Sequence, residues 1–218
     1  MFQILQEHIV EAVSLIILAI GTAVASWIKK AEIGRMFKRR RARIQTRKMS
    51  AIYRADRALK SGAIDAVKLH NADRALIFNA HNCGKELIVG GLKFTSATFG
   101  YARNPDDPNQ SPFEHGEELA VQYQQVPLTV DYLKMIETLL NDGFHHFRTD
   151  DHKGTQLYEY YKSEGITDSY VFLAWSSDHA TCYWSVATFR DGGFTDSEVT
   201  AIKLQAQTIR SHCHDAHE

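Results

Sequence analysis

The stretch "SYVFLAWSSDHATCYWSVATF", residues 169–189, decides the fold. Two runs rich in β-branched and aromatic residues flank the polar "SSDHA", the pattern of two antiparallel strands joined by a short turn. Strict alternation predicts Val171, Leu173 and Trp175 on one face of the first arm. Tyr170, Phe172 and Ala174 fall on the other. Both sets are apolar or aromatic, so both faces of this hairpin are expected to be covered or half covered.

Working outward, "FTDSEVTAIKLQAQTIRS" (194–211) opens with Thr195 and, three residues later, Glu198. That spacing predicts a capping box at a helix start. Val199, Ile202, Ala206 and Ile209 follow at helical spacing as one apolar stripe. On the other side, "VDYLKMIETLLNDG" (130–143) predicts a helix capped by Thr129 and stopped by Gly143. "FHHFRT" (144–149) reads as a short strand and "GTQLYEYYKSEG" (154–165) as a short helix. Further upstream, "AIYRADRALKSGAIDAVKLHNA" (51–72) reads as a helix with a break near Ser61-Gly62. "DRALIFNAHN" holds a strand over Ala75–Ala80, and "ELIVGGLKFTSATF" (86–99) is β-rich around Gly90-Gly91. "YARNPDDPNQSPFEHGEE" (101–118) reads as a polar, proline-bearing loop, and "VQYQQVP" (121–127) as another strand. The order is α+β, with the terminal helices expected on one face of an antiparallel sheet.

This order resembles that of GAF-type sensor domains. The residues that carry the resemblance are "ADRALIFNAHN" after a helix, "VPLTVDYLKMIETLLNDG" before a short strand, and the closing hairpin followed by "FTDSE". It covers residues 50–212 or so. The resemblance implies a six-stranded antiparallel sheet with helices behind it and a loop-covered ligand pocket. It names no cofactor: cyclic nucleotides, tetrapyrroles, haem, small acids or nothing are found across the family. The chain lacks the family's cyclic-nucleotide motif "NKxnFxxxDE" and an evident chromophore-attachment cysteine, which disfavours those two ligands.

The N-terminal part is of a different kind. "IVEAVSLIILAIGTAVASWI" (9–28) is 20 residues of mostly apolar sequence whose only formal charge is Glu11. As a helix it would be about 30 Å long, the thickness of a bilayer's hydrocarbon core. It is followed by "KKAEIGRMFKRRRARIQTRK" (29–48), with ten basic residues against Glu32. Net charge is −2 over residues 1–28, +9 over 29–48 and −8 over the remainder. The order of charge is the reverse of a signal peptide's. The chain therefore divides into a membrane anchor (1–28), a basic juxtamembrane helix (29–49) and a cytosolic domain (50–218). Basic residues flanking a span stay inside, so a single-pass inner or plasma membrane protein with its N-terminus out is expected. Lys29, Lys30, Arg35, Lys38, Arg39, Arg40, Arg41 and Arg43 are the expected contacts to anionic inner-leaflet lipid. Nucleic acid is an unlikely partner, because no zinc-finger spacing or paired stacking aromatics accompany the charge. Gly21 and Ala25 form a small-xxx-small pair that would let two copies of the span approach as a homodimer.

Chemistry-bearing clusters are few. "GFHHFRTDDH" groups His145, His146, Asp150, Asp151 and His152, residue types that ligate zinc or iron. In a strand, though, His145 and His146 point to opposite faces. "HCHDAHE" groups His212, Cys213, His214 and His217 without a complementary set elsewhere. His81, Asn82 and Cys83 follow a strand, where functional residues often sit. With His115 in the polar loop they are the candidate ligand contacts. Cys83, Cys182 and Cys213 form no spaced framework, which predicts reduced thiols. No GxSxG, Walker, HExxH or catalytic-carboxylate motif is present, so no enzyme is expected. Two functions fit: a membrane-anchored sensor or regulatory module binding a small molecule or protein, and a small membrane effector, of phage or mobile-element type, whose span acts on the envelope.

Overall fold

A computed structural model of the chain describes residues 36, 38, 40–82 and 91–217. The apolar run 9–28, with Gly21 and Ala25, lies outside the described residues, as do Lys29, Lys30, Arg35, Arg39 and Cys83. Among the described residues no helix is long and apolar enough to cross a membrane. The chain divides into two compact units, residues 1–49 and 50–218. In the first, the described residues are helical and exposed; they include Lys38, Arg40, Arg41 and Arg43.

The second unit starts with helix α1 (50–69). It continues with β1 (Arg74–His81), β2 (Phe94–Ala102), α2 (Pro112–Gln122), β3 (Val126–Pro127), α3 (Val130–Asp142) and β4 (Phe144–Arg148). A 3-10 turn (Thr149–His152), α4 (Gln156–Ser163), β5 (Asp168–Ser176), β6 (Ala180–Thr188) and α5 (Asp196–His217) complete it. The six strands form one antiparallel sheet in the order β3-β2-β1-β6-β5-β4. The fold class is α+β, as the sequence predicts.

Both sheet faces are covered. On one, Ala55, Leu59, Ala63 and Val67 of α1 and Ile202, Ala206 and Ile209 of α5 pack against Ile77, Phe172, Trp184 and Val186. The terminal helices therefore share a face, and the stripe read from α5 is its buried side. Its capping box is present: the Thr195 N–H donates to Glu198 Oε2 at 2.8 Å, and the Glu198 N–H to Thr195 Oγ1 at 3.4 Å. On the opposite face, α2, α3 and α4 bury Leu119, Met135, Ile136, Leu139 and Leu157 against Leu76, Phe78, Val171, Leu173 and Tyr183.

Several sequence expectations change. The helix has no break at Ser61-Gly62. Gly62 is buried where a Cβ would lie 3.2 Å from Ile209 Cγ1, and closer still to Cδ1; the glycine lets α1 approach α5. The polar loop contains α2, begun by Ser111, whose Oγ accepts the Phe113 N–H at 3.3 Å, with Pro112 in the first turn. "VQYQQVP" is mostly the end of α2 and its turn; only Val126–Pro127 pair, with Phe94 and Thr95. Here a local strand pattern lost to the packing of α2 on β2. Gly100 and Gly116 meet backbone to backbone: a Cβ on Gly116 would lie 2.5 Å from Tyr101 N. Thr129 precedes α3 without a side-chain cap bond, whereas Gly143, at φ 81°, ends it as expected. Finally, the β5–β6 register shifts between Leu173 and Trp175. Ala174 is the extra residue of a β-bulge, so alternation is lost. Trp175 packs with Ala174 on the α1/α5 side, not with Val171 and Leu173.

Candidate functional site

The face covered by α2, α3 and α4 carries the buried polar chemistry. Arg74, the first residue of β1, is 1% exposed. Its guanidinium pairs with the Glu164 carboxylate, which also accepts the Tyr123 hydroxyl. The Arg74 Cζ lies 5.4 Å from the centre of the Tyr161 ring and 5.9 Å from that of Tyr123. Burial, the largest single influence, would lower the Arg74 pKa; the charge of Glu164, the two tyrosines and the hydrogen bond to Glu164 together outweigh it and raise it. Burial pushes the Tyr123 hydroxyl up, against the pull of Arg74. Tyr183 Oη and Thr95 Oγ1 lie 2.8 Å apart, and Tyr183 stacks on Phe78 with ring centres 5.3 Å apart. Tyrosines, an arginine and a carboxylate thus fill the centre of this face.

Two recesses lie at the β4 end of the sheet. The larger, about 660 Å³, opens between the β4–α4 segment, α4 and the β6–α5 turn, and carries Arg148, Asp150, Asp151, Lys162, Asp168 and Asp191. Asp168 is already committed: Oδ1 is 2.7 Å from His146 Nε2, and Oδ2 accepts the Phe194 N–H at 3.1 Å. It ties β5 to the start of α5. The smaller, about 230 Å³, lies between α3, β4 and the turn before α4. Asp131, Lys134, His145, Phe147, His152 and Thr155 are among its walls. The His145 and His152 ring centres are 6.2 Å apart, and His152 stacks on Phe147 at 4.0 Å. Burial, then the nearby His152 and His146, lower the His145 pKa below the ordinary imidazole value.

The structure separates the members of "GFHHFRTDDH" as strand geometry requires. His145 faces α3, while His146 stacks on Tyr170 at 4.2 Å on the other face and binds Asp168. It also brings His152 back to His145, which spacing alone did not show. Among the described residues no group of three His, Cys, Asp or Glu is placed to hold a metal ion. Cys182 and Cys213 are free thiols buried on the α1/α5 side, and burial raises both, Cys213 to about 11.

The candidate ligand contacts do not converge. His81 ends β1, with Nε2 3.2 Å from Ser96 Oγ, and Asn82 beside it is buried. His115 lies on α2 next to Gly116, which meets Gly100; Gly100 pairs with Leu76, five residues from His81 along β1. At roughly 3.3 Å per residue this puts the two histidines well over 10 Å apart. Arg74, Glu164 and Tyr123 belong to no sequence motif; a charged residue opening an apolar strand is the one signal of them in the sequence.

The architecture is that of the GAF fold. The chain is similar to the phycoerythrobilin-bound GAF domain of a cyanobacterial phytochrome, at 12% identity and a TM-score of 0.51 over 81% of this chain and 93% of that one. It is also similar to the phycocyanobilin-bound GAF domain of a cyanobacterial phytochrome, at 10% identity and a TM-score of 0.50 over 79% and 94%. A third similar structure is the blue-light absorbing form of the PixJ GAF domain of Thermosynechococcus elongatus, at 10% identity and a TM-score of 0.50 over 77% and 89%. No protein-family model matches the chain, and no curated protein matches its sequence.

Proposed function

We propose that this chain is a membrane-anchored sensor or regulatory module, in which a GAF-fold domain binds a small molecule or a protein partner. The observation that carries the reading is the fold itself: one six-stranded antiparallel sheet with its terminal helices on one face. Solved structures sharing this fold hold bilins in cyanobacterial photoreceptors. Among the described residues the cysteines, Cys182 and Cys213, are buried on the side of the terminal helices, away from the face that α2, α3 and α4 cover. The anchor is residues 9–28, with the N-terminus outside and residues 29–49 against anionic inner-leaflet lipid. The exposed helical placement of Lys38, Arg40, Arg41 and Arg43 agrees with lipid contact. Output is assigned to a protein partner or to pairing of two copies through Gly21 and Ala25.

The test has two arms. The full chain, extracted in detergent from its own cells, is weighed by native mass spectrometry; a retained small molecule supports the sensor reading. A bare mass, with no protein co-purifying, overturns it. Carbonate washing of membranes tests the anchor: release of the chain into the soluble fraction would end that part of the proposal.

A further inference from the structure

The pocket of about 230 Å³ between α3, β4 and the turn before α4 has a charge that depends on its two histidines. Lys134 and Asp131 are its fixed charges, and they leave it formally neutral while His145 and His152 are neutral. Protonating both imidazoles makes it +2. Among the described residues no other charged side chain lines it; Met135, Thr138, Phe147, Thr155 and Leu157 complete the wall. Asp150 of the adjoining turn is turned to Lys153, at 3.5 Å. His146 acts on His145 from the other sheet face, where it is held by Asp168.

Two imidazoles with centres 6.2 Å apart can each direct an N–H at one tetrahedral or carboxylate anion between them. Phe147, stacked at 4.0 Å, fixes the plane of His152, and β4 fixes His145. Without an anion, burial and then the nearby imidazole of His152 both oppose a proton on His145.

We infer that the pocket formed by Lys134, His145 and His152 is a binding site for a small oxyanion, one that is occupied as the pH falls. The anion relieves the repulsion between the two imidazolium ions, so binding and protonation favour each other. The volume is too small to enclose a bilin or a dinucleotide and suits a phosphate, a sulfate or a small carboxylate. This site supplies a ligand class for the sensor reading above and rests on that reading for its biological role.

The test uses the full chain in a maltoside detergent, labelled with ¹³C at histidine Cε1, with sulfate as the probe because its charge is constant between pH 5.5 and 7.5. The expected result is a saturable shift of the His145 and His152 resonances. Its dissociation constant should be about tenfold lower at pH 5.5 than at 7.5. The His146 resonance stays still. Lys134→Gln, at an exposed position whose change spares the fold, weakens binding severalfold. Absence of a saturable shift at both values, or an equal shift at exposed His179, overturns the site. Sulfate binding in a chain that carries nothing from its own cells would keep the pocket and remove the sensor role. A retained molecule with no sulfate response would do the reverse.

Discussion

Replacing Glu164 by leucine strips two buried groups of their partner at once. Arg74 is 1% exposed and the Glu164 side chain 18%. The change leaves the guanidinium charged between Tyr123 and Tyr161, with its Nε already lacking a hydrogen-bond partner. Breaking a buried ion pair from one side costs about 3–5 kcal/mol. Because water reaches part of Glu164, the lower end, about 3 kcal/mol, is expected. For a domain of this size, that lowers the melting temperature by roughly 6–12 °C. The double variant Arg74→Met/Glu164→Leu removes the orphaned charge, and much of the loss should be recovered. Urea unfolding followed by tryptophan emission reads this directly, since Trp184 is fully buried against the same sheet. Two results would refute the reasoning: a loss below about 1 kcal/mol for Glu164→Leu, or a double variant no more stable than the single one.

Gly116→Ala should cost about 2 kcal/mol or more in the same assay, since its Cβ would meet the backbone of β2; Ala120→Gly, away from that contact, serves as the control for helix propensity. Glu198 accepts Arg190 Nη2 at 2.9 Å and the Thr195 N–H at 2.8 Å, and these hold its carboxyl at about 2, below the ordinary value of 4.5. A depressed carboxyl contributes stability that is complete above its unfolded value and is lost as the pH falls from 4.5 toward 2. Glu198→Gln should therefore flatten the acid limb of the stability profile in that window, and an unchanged limb would refute the assignment. The lowered His145 works in the opposite sense to a salt-bridged histidine: the folded state resists its proton, so stability falls as the pH drops below 6.5, and His145→Gln should reduce that slope. Deleting Ala174 removes the bulge and makes Trp175 the direct neighbour of Leu173, so regular alternation keeps Trp175 on the α1/α5 side; an unshifted tryptophan emission maximum is expected, and a red shift would count against the bulge.

Elements with strong local patterns were legible in the sequence. The hairpin, the Thr195–Glu198 capping box, the buried stripe of α5 and the glycine stop of α3 are written in spacings of a few residues. Helix α2 was equally local in its signals, with Ser111, Pro112 and Glu114 at its start, but two prolines nearby read as loop. The candidate ligand residues fared differently. His81 and His115 are distant because α2 runs along β2 from the Gly100 end, a fact decided by glycine contact and not by composition.

By itself, the sequence determined the class α+β, the sharing of one sheet face by the terminal helices, and the separation of His145 from His146. Each follows from a period of two or 3.6 residues acting on neighbouring side chains. Tertiary structure alone decided the rest. Arg74 finds Glu164 across 90 residues of chain, His152 folds back onto His145 through a 3-10 turn, and one bulged residue moves Trp175 to the other side of the sheet. These depend on how strands register and where helices can approach, and no local pattern encodes a contact whose two halves are set by separate elements.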